Sequence, residues 1–450
     1  MVTWTGTLGR APYAAVGTAM VLVKFGLDRL LAAAFDRRWG YADYWSPSAY
    51  ALDDLPRAQW GFYAALAGIA LPFALVGLSL TLRRLRDTGL PPWLVVLFFV
   101  PVVNLVFFVV LCLVPARGPA RPEAAAPSAP TSRGDRAPAS AIAGVVLTGL
   151  LGVALVAFAT EGLGSYGWGV FVGVPFCLGL LSVLVYAGRE PRRLRDCISV
   201  GLLANAVATV GLLAVALEGA VCIVMAFPLA APLGALGALT GYHLRRPGGG
   251  LPAPPAVCGV LLMLPAMMGM EASTAPPPAV RPVTTAIVVD APPAAVWKRV
   301  IAFPPLDPPR EALFRAGIAY PVAASIDGSG VGAVRRCVFS TGAFVEPITA
   351  WDAPRRLAFS VAQQPASMEE LSPWGEVRPP HLDGFLRSHR GEFRLEPLPG
   401  GRTRLTGTTW YENRMWPARY WRVWSDEIMH AIHRRVLEHV ARTAEADESG

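Results

Sequence analysis

The chain has 450 residues, 53% of them hydrophobic and only 16% charged, which excludes a disordered, collagen-like or disulfide-scaffold protein and exceeds one ordinary domain of ~150 residues. Its mean hydropathy of +0.43 is too high for a surface covered by water alone, so a membrane is the expected cover. The net charge of +8 is unevenly held: residues 1–282 carry 20 Lys+Arg against 13 Asp+Glu, residues 283–450 carry 20 against 19, and neither part has the groove-reading pattern of a nucleic-acid binder.

Spanning ~30 Å of hydrocarbon takes about 20 apolar residues in a helix. Residues Gly61 to Leu82, Trp93 to Val114, Ala141 to Thr160, Gly164 to Ala187, Val200 to Leu217 and Ala220 to Thr240 meet that requirement. Ala11 to Phe35, which carries Lys24, Asp28 and Arg29, and Val257 to Met270, broken by Pro265, are weaker candidates. With all eight crossing, alternate loops hold 13 and 4 Lys/Arg, which places the C-terminal domain outside the cytoplasm. A re-entrant 93–114, turning near Pro101 and Asn104, leaves that placement unchanged; a last segment that does not cross reverses it. No removable signal peptide is read in Met1 to Tyr13. The six cysteines include no C-x-x-C pair and announce neither a disulfide framework nor a zinc site.

Two polar features punctuate the apolar part. Lys24 and Asp28, four apart, share a helix face as a membrane polar pair. Arg-Arg-Leu-Arg-Asp occurs at 83–87 and again at 192–196; Arg83, Arg84, Asp87, Arg192, Arg193 and Asp196 are candidate interfacial residues that could meet lipid phosphates, each Asp capping the helix that follows. The first copy, continued as Thr88-Gly89-Leu90-Pro91-Pro92-Trp93 with Pro101 and Asn104 beyond, resembles the RRLHDTGxSGWW signature of the DUF805 family of small bacterial inner-membrane proteins. Arg86 stands for the family's His, and Pro91-Pro92 for Ser-Gly. Gly9-Arg10-Ala11-Pro12-Tyr13 is similar to the family's entry motif but lacks its second arginine. The resemblance implies a location, a bacterial inner membrane, and no reaction.

A short proline-rich linker (273–282) precedes a change from solid apolar to alternating sequence. Strands are expected at Thr284 to Val289, Ala319 to Ile326, Gly332 to Ser340, Ala343 to Trp351, Arg356 to Val361, Gly391 to Leu398 and Thr403 to Tyr411. A short helix runs from Ala294 to Ile301, with Asp290 as its cap, and a long one from Pro417 to Ala444 with an apolar stripe of Trp421, Trp424, Ile428, Ile432, Val436 and Val440. Gln363 to Leu386 is too long for an ordinary connection and reads as a lid or binding loop. Val288 to Trp297 and Glu346 to Leu357 look like the polyketide cyclase/START-like (SRPBCC) superfamily. That resemblance implies a helix-grip α+β fold around an apolar cavity for lipids, polyketides or other hydrophobic ligands. The expected domains are therefore 1–116 (DUF805-like), 117–140 (linker), 141–272 (further transmembrane helices), 273–282 (linker) and 283–445 (START-like).

Candidate ligand-binding residues are Glu346, which shares a strand face with Phe344 and Ile348 and could instead pair with an arginine such as Arg336; His381, on the proposed lid; and Trp410, Tyr411 and Trp424 of an aromatic concentration. Asp426, His430 and His433 have i, i+4, i+7 spacing, but share their side of the helix with Arg419 and Arg422, a solvated face, and no metal is assigned to them. No G-x-S-x-G, Walker, Rossmann or H-E-x-x-H motif is present, and no cofactor is expected. The function expected is membrane-anchored binding of a hydrophobic small molecule, lipid or isoprenoid-like, with membrane lipids as partners. The alternatives are a cyclase- or hydrolase-like enzyme using Glu346, and a non-catalytic membrane scaffold or sensor.

Overall fold

The computed structural model describes residues 5–37, 39, 44, 60–100, 103–116, 136–187, 192–245, 253–274, 278–375 and 377–449. Most of the 117–140 linker, the centre of the 273–282 linker, and Pro101 lie outside the described residues. The chain divides into two compact units: residues 1–215 with 226–276, and residues 216–225 with 277–450.

The first unit is helical. Its elements are α1 (Arg10–Ala34), α2 (Trp60–Thr88), a 3-10 helix (Pro92–Phe99), α3 (Val103–Leu113), α4 (Arg136–Ala157), α5 (Val174–Tyr186, entered through a π turn, Gly169–Gly173), α6 (Leu194–Ala214), α7 (Ala220–Leu244, its first turns counted with the second unit) and α8 (Ala253–Thr274). Among the described residues five helices are long and apolar enough to cross a membrane: Gly61–Thr88, Gly144–Gly162, Gly169–Tyr186, Leu194–Ala214 and Ala220–Leu244. The span expected at 93–114 is not one of them. Pro91 and Pro92 start a 3-10 helix instead, the α-helix resumes only at Val103, and the two pieces pack on each other. The weak last segment, Ala253–Thr274, is longer than expected, and its stretch Gly259–Thr274 is a shorter apolar helix.

Hydrocarbon offers no hydrophobic drive between helices, so close approach at small residues holds such bundles together. Gly237 of α7 shows this: a Cβ there would lie 2.0 Å from the Phe176 carbonyl oxygen of α5. Polar groups at the helix ends are satisfied internally. Glu271 of α8 accepts hydrogen bonds from the Trp168 (2.7 Å) and Gly169 (3.1 Å) amides at the start of α5, where orphan N–H groups and the helix dipole favour a carboxylate.

The second unit is an α+β domain. Its elements are β1 (Arg281–Val289), α9 (Pro293–Ile301), α10 (Ala312–Arg315), β2 (Pro321–Asp327), β3 (Val334–Phe339), β4 (Gly342–Asp352), β5 (Arg356–Ser360), β6 (Leu386–Leu398), β7 (Arg402–Asn413) and α11 (Ala418–Ser449). The seven strands form one antiparallel sheet in the order β1-β7-β6-β5-β4-β3-β2. Irregularities at Pro321/Ala323, Ile348/Ala350 and Ser388/Arg390 bend it. The terminal helix lies across the sheet, packing on β1, β7, β2 and α9, which makes this a helix-grip fold. Val296, Leu357, Leu405, Leu437 and Val440 are fully buried between helix and sheet, each contributing about 1.5–3 kcal/mol. The hairpin between β6 and β7 turns on Gly400 and Gly401, both with positive φ (80° and 73°), a conformation that side chains with a Cβ resist.

Two local expectations are corrected. Asp290 does not cap α9: Pro292 stands at the cap position with no side-chain capping bond, and the helix starts on Pro293, whose fixed φ suits the first helical position. The β6 strand begins at Leu386, five residues earlier than its sequence suggests, because the irregular stretch before it ends in paired backbone.

Candidate functional site

The β3–β4 register sets Arg335 directly opposite Glu346, and both side chains are buried. Glu346 therefore pairs with Arg335 and not with Arg336, whose side chain belongs to the other face of the strand. The Arg335 guanidinium also donates through Nε to the Ile301 carbonyl (3.2 Å) and lies 5.6–5.7 Å from the ring centroids of Phe303, Phe359 and Phe393. A buried charge is tolerable only with partners of this kind. Burial holds the Glu346 carboxyl above the usual carboxylate range, against the opposing pull of Arg335.

Facing this pair from α11 is His433. Its Nε2 is 2.8 Å from Thr409 Oγ1 and its Nδ1 is 3.1 Å from Thr285 Oγ1, which also meets His430 Nδ1 at 2.8 Å. Burial, and next the neighbouring His430, lowers its pKa to about 4, so the ring is neutral. The expectation that His433 belongs to a solvated face is thus corrected. Asp426 does not join the two histidines: it accepts the Tyr411 hydroxyl at 2.6 Å. The space left between sheet and helix here is only about 100 Å³, lined by Phe339, Phe344, Glu346, Met429, Ile432 and His433 among others. A small-molecule pocket takes roughly 300–1,000 Å³, so this interior holds a few waters at most.

A second, larger space lies beneath the 363–386 segment. It measures about 1420 Å³, its apolar lining including Phe314, Ile318, Met368, Leu371, Val377 and Leu382, and its charged lining Arg315, Arg378 and Arg387 with Glu369, Glu370 and Asp383. The segment is anchored at intervals: Ser367 O accepts from the Ala319 amide (3.1 Å), Gly317 O from the Glu369 amide (2.8 Å), and the Gln364 side chain bridges to Leu386 O (2.8 Å) and the Ser388 amide (2.7 Å).

His381 does not line that cleft, although Pro379, Leu382 and Asp383 do. Its ring is buried, with Nδ1 3.2 Å from Glu218 Oε2 and Nε2 3.3 Å from Glu370 Oε1. Burial lowers the imidazole pKa, but the two carboxylates more than reverse this and raise it to about 9. Glu370 in turn accepts from the Val221 (3.0 Å) and Cys222 (3.2 Å) amides, capping the first turn of α7. Gly219 makes room for it, since a Cβ there would fall 2.1 Å from Glu370 Oε2. Donor atoms of Glu218, Cys222 and His381 lie within 4.8 Å of one another, all three residues buried. Sequence reasoning picked out His381 alone. The available signal was Glu218, a solitary carboxylate between two long apolar runs.

The remaining candidates are dispersed. Trp410 is half-buried with the Arg390 guanidinium 4.1 Å from its ring centroid; Tyr411 is buried and Trp424 half-buried, and none of the three lines either space. In the helical unit, Lys24 and Tyr44 both donate to the buried Asp28. The two Arg-Arg-Leu-Arg-Asp copies are not equivalent. Arg84 is fully buried and donates to the Leu8, Leu111 and Val114 carbonyls and to Asp87; Asp87 belongs to the last turn of α2 and caps nothing downstream. Arg83 reaches the Thr7 carbonyl at 3.3 Å. Arg193, the counterpart of Arg84, is exposed, Arg192 stacks over Tyr186, and Asp196 sits in the first turn of α6 without a capping bond.

Residues 1–121 match the family model described as "Protein of unknown function (DUF805)". No curated protein matches the chain. Among solved structures, a protein from Nitrosospira multiformis is similar at 22% identity, covering 38% of this chain and 100% of its own, with a TM-score of 0.24. The Zhui aromatase/cyclase from Streptomyces sp. R1128 is similar at 16% identity (38% and 94% covered, TM-score 0.24), and a norcoclaurine synthase from Thalictrum flavum at 10% (38% and 99%, TM-score 0.26).

Proposed function

We propose that the chain is a multi-pass protein of the bacterial inner membrane whose helix-grip domain faces the extracytoplasmic side and binds a hydrophobic ligand, lipid or isoprenoid-like, with an anionic end. The observation that carries this reading is the cleft of about 1420 Å³, where Phe314, Ile318, Met368 and Leu371 supply apolar wall and Arg315, Arg378 and Arg387 supply cationic groups on a mixed rim that also holds Glu369, Glu370 and Asp383. Apolar wall removes a tail from water, while guanidinium groups pair with phosphate or carboxylate. Joining such a cleft to spanning helices in one chain keeps it near a supply of amphiphiles. The ligand thus belongs to the cleft, and Glu346, Trp410, Tyr411 and Trp424 shape the domain that carries it. An enzyme using Glu346 has less support, because that carboxylate is held by Arg335 in a space too small for a substrate.

Mass spectrometry of the full chain purified in mild detergent tests this. A bound anionic amphiphile is expected, its occupancy falling about tenfold in an Arg378→Glu/Arg387→Glu variant, a change of ~1.4 kcal/mol. No retained lipid in the folded wild type would sink the reading and favour the scaffold or sensor. Reporter fusions after residue 450 check the side.

A further inference from the structure

We propose that Glu218, Cys222 and His381 form a binding site for a transition-metal dication of borderline softness, Zn²⁺ above all, with Glu370 as the positioning residue behind the histidine. Each of the three offers one donor atom, and those atoms converge within 4.8 Å in a buried environment. Around a tetrahedral ion with bonds of ~2.0–2.3 Å, donors stand about 3.5 Å apart, so modest side-chain rotation closes the set. Thiolate, imidazole and carboxylate together select against Mg²⁺ and Ca²⁺, which take oxygen ligands.

The second, independent observation is the arrangement behind the imidazole. Histidines that bind metals through one ring nitrogen commonly give the N–H of the other to a carboxylate. Here Nε2 faces Glu370 at 3.3 Å, while Nδ1 points to Glu218 at 3.2 Å. Glu370 is itself fixed by the Val221 and Cys222 amides, so the ring cannot easily turn its other nitrogen to the ion.

Binding forms bonds from the ion to Nδ1 of His381, Sγ of Cys222 and a Glu218 oxygen, the thiol proton leaving as the Cys222 thiolate forms. Three protein ligands leave a fourth position for water.

The test uses the full chain in detergent, stripped of metal and titrated with Zn²⁺ and with Co²⁺. One ion per chain is expected, the Co²⁺ form showing a thiolate-to-metal charge-transfer band that disappears in Cys222→Ser and survives in Cys337→Ser. His381→Gln and Glu218→Gln should each weaken binding by about tenfold or more, and Glu370→Gln by a similar factor with the band retained. Absence of stoichiometric binding by the folded wild type, or a band that persists in Cys222→Ser, would overturn the proposal.

Discussion

Arg335 and Glu346 show how much one register decides. A two-residue turn at Ser340–Thr341 pairs Phe339 with Gly342 and, four rungs further, Arg335 with Glu346. Strand alternation alone puts Glu346 on the face of Phe344 and Ile348, and the sequence reading reached that far. It could not choose between Arg335 and Arg336, because a turn displaced by one residue exchanges the two faces. Glu346→Gln leaves the guanidinium buried without its countercharge, so a loss of ~3–5 kcal/mol is expected. Chemical denaturation of the full chain measures it, and Arg335→Met/Glu346→Leu should recover most of the loss. His433 supplies a pH dependence. Its pKa lies at about 4 in the folded domain against ~6.5 unfolded, so the unfolded chain binds the extra proton. Its contribution is complete above pH ~6.5 and is lost as the pH falls toward 4, up to ~3 kcal/mol. His433→Gln should flatten that part of the acid-unfolding curve; equal slopes would contradict the assignment.

At the scale of elements, five of the six firm spans were legible, because a long apolar run without charge has few alternatives to a helix. The sixth, 93–114, failed where Pro91 and Pro92 open a 3-10 helix, a departure from the α-helical ladder that hydropathy does not register. The repeated arginine motif was legible as a string and not as a role. One copy lies inside the end of α2, where Arg84 satisfies carbonyls at the end of α3; the other starts α6 and faces outward. Arg84→Gln should therefore lower stability by about 3 kcal/mol or more, since buried bonds to a charged donor are worth ~1.5–3 kcal/mol each. Arg193→Gln should stay within ~0.5 kcal/mol. Thermal midpoints of the two variants in one detergent make the comparison, and equal shifts would refute it.

For the whole molecule, composition alone separated an apolar, basic part from a nearly neutral one, since hydropathy and charge both change near residue 282. The placement of residues 216–225 with the C-terminal domain had no such trace: Val221 meets Glu370 across 149 residues of sequence, and nothing periodic marks a contact so remote. That span also orders events in time. Translation delivers the start of α7, with its unsatisfied amides and the Glu218 carboxylate, long before Glu370 and His381 exist to receive them. The amides at the first turn of that helix gain their carboxylate only after Glu370 has been made, so this contact forms late in synthesis.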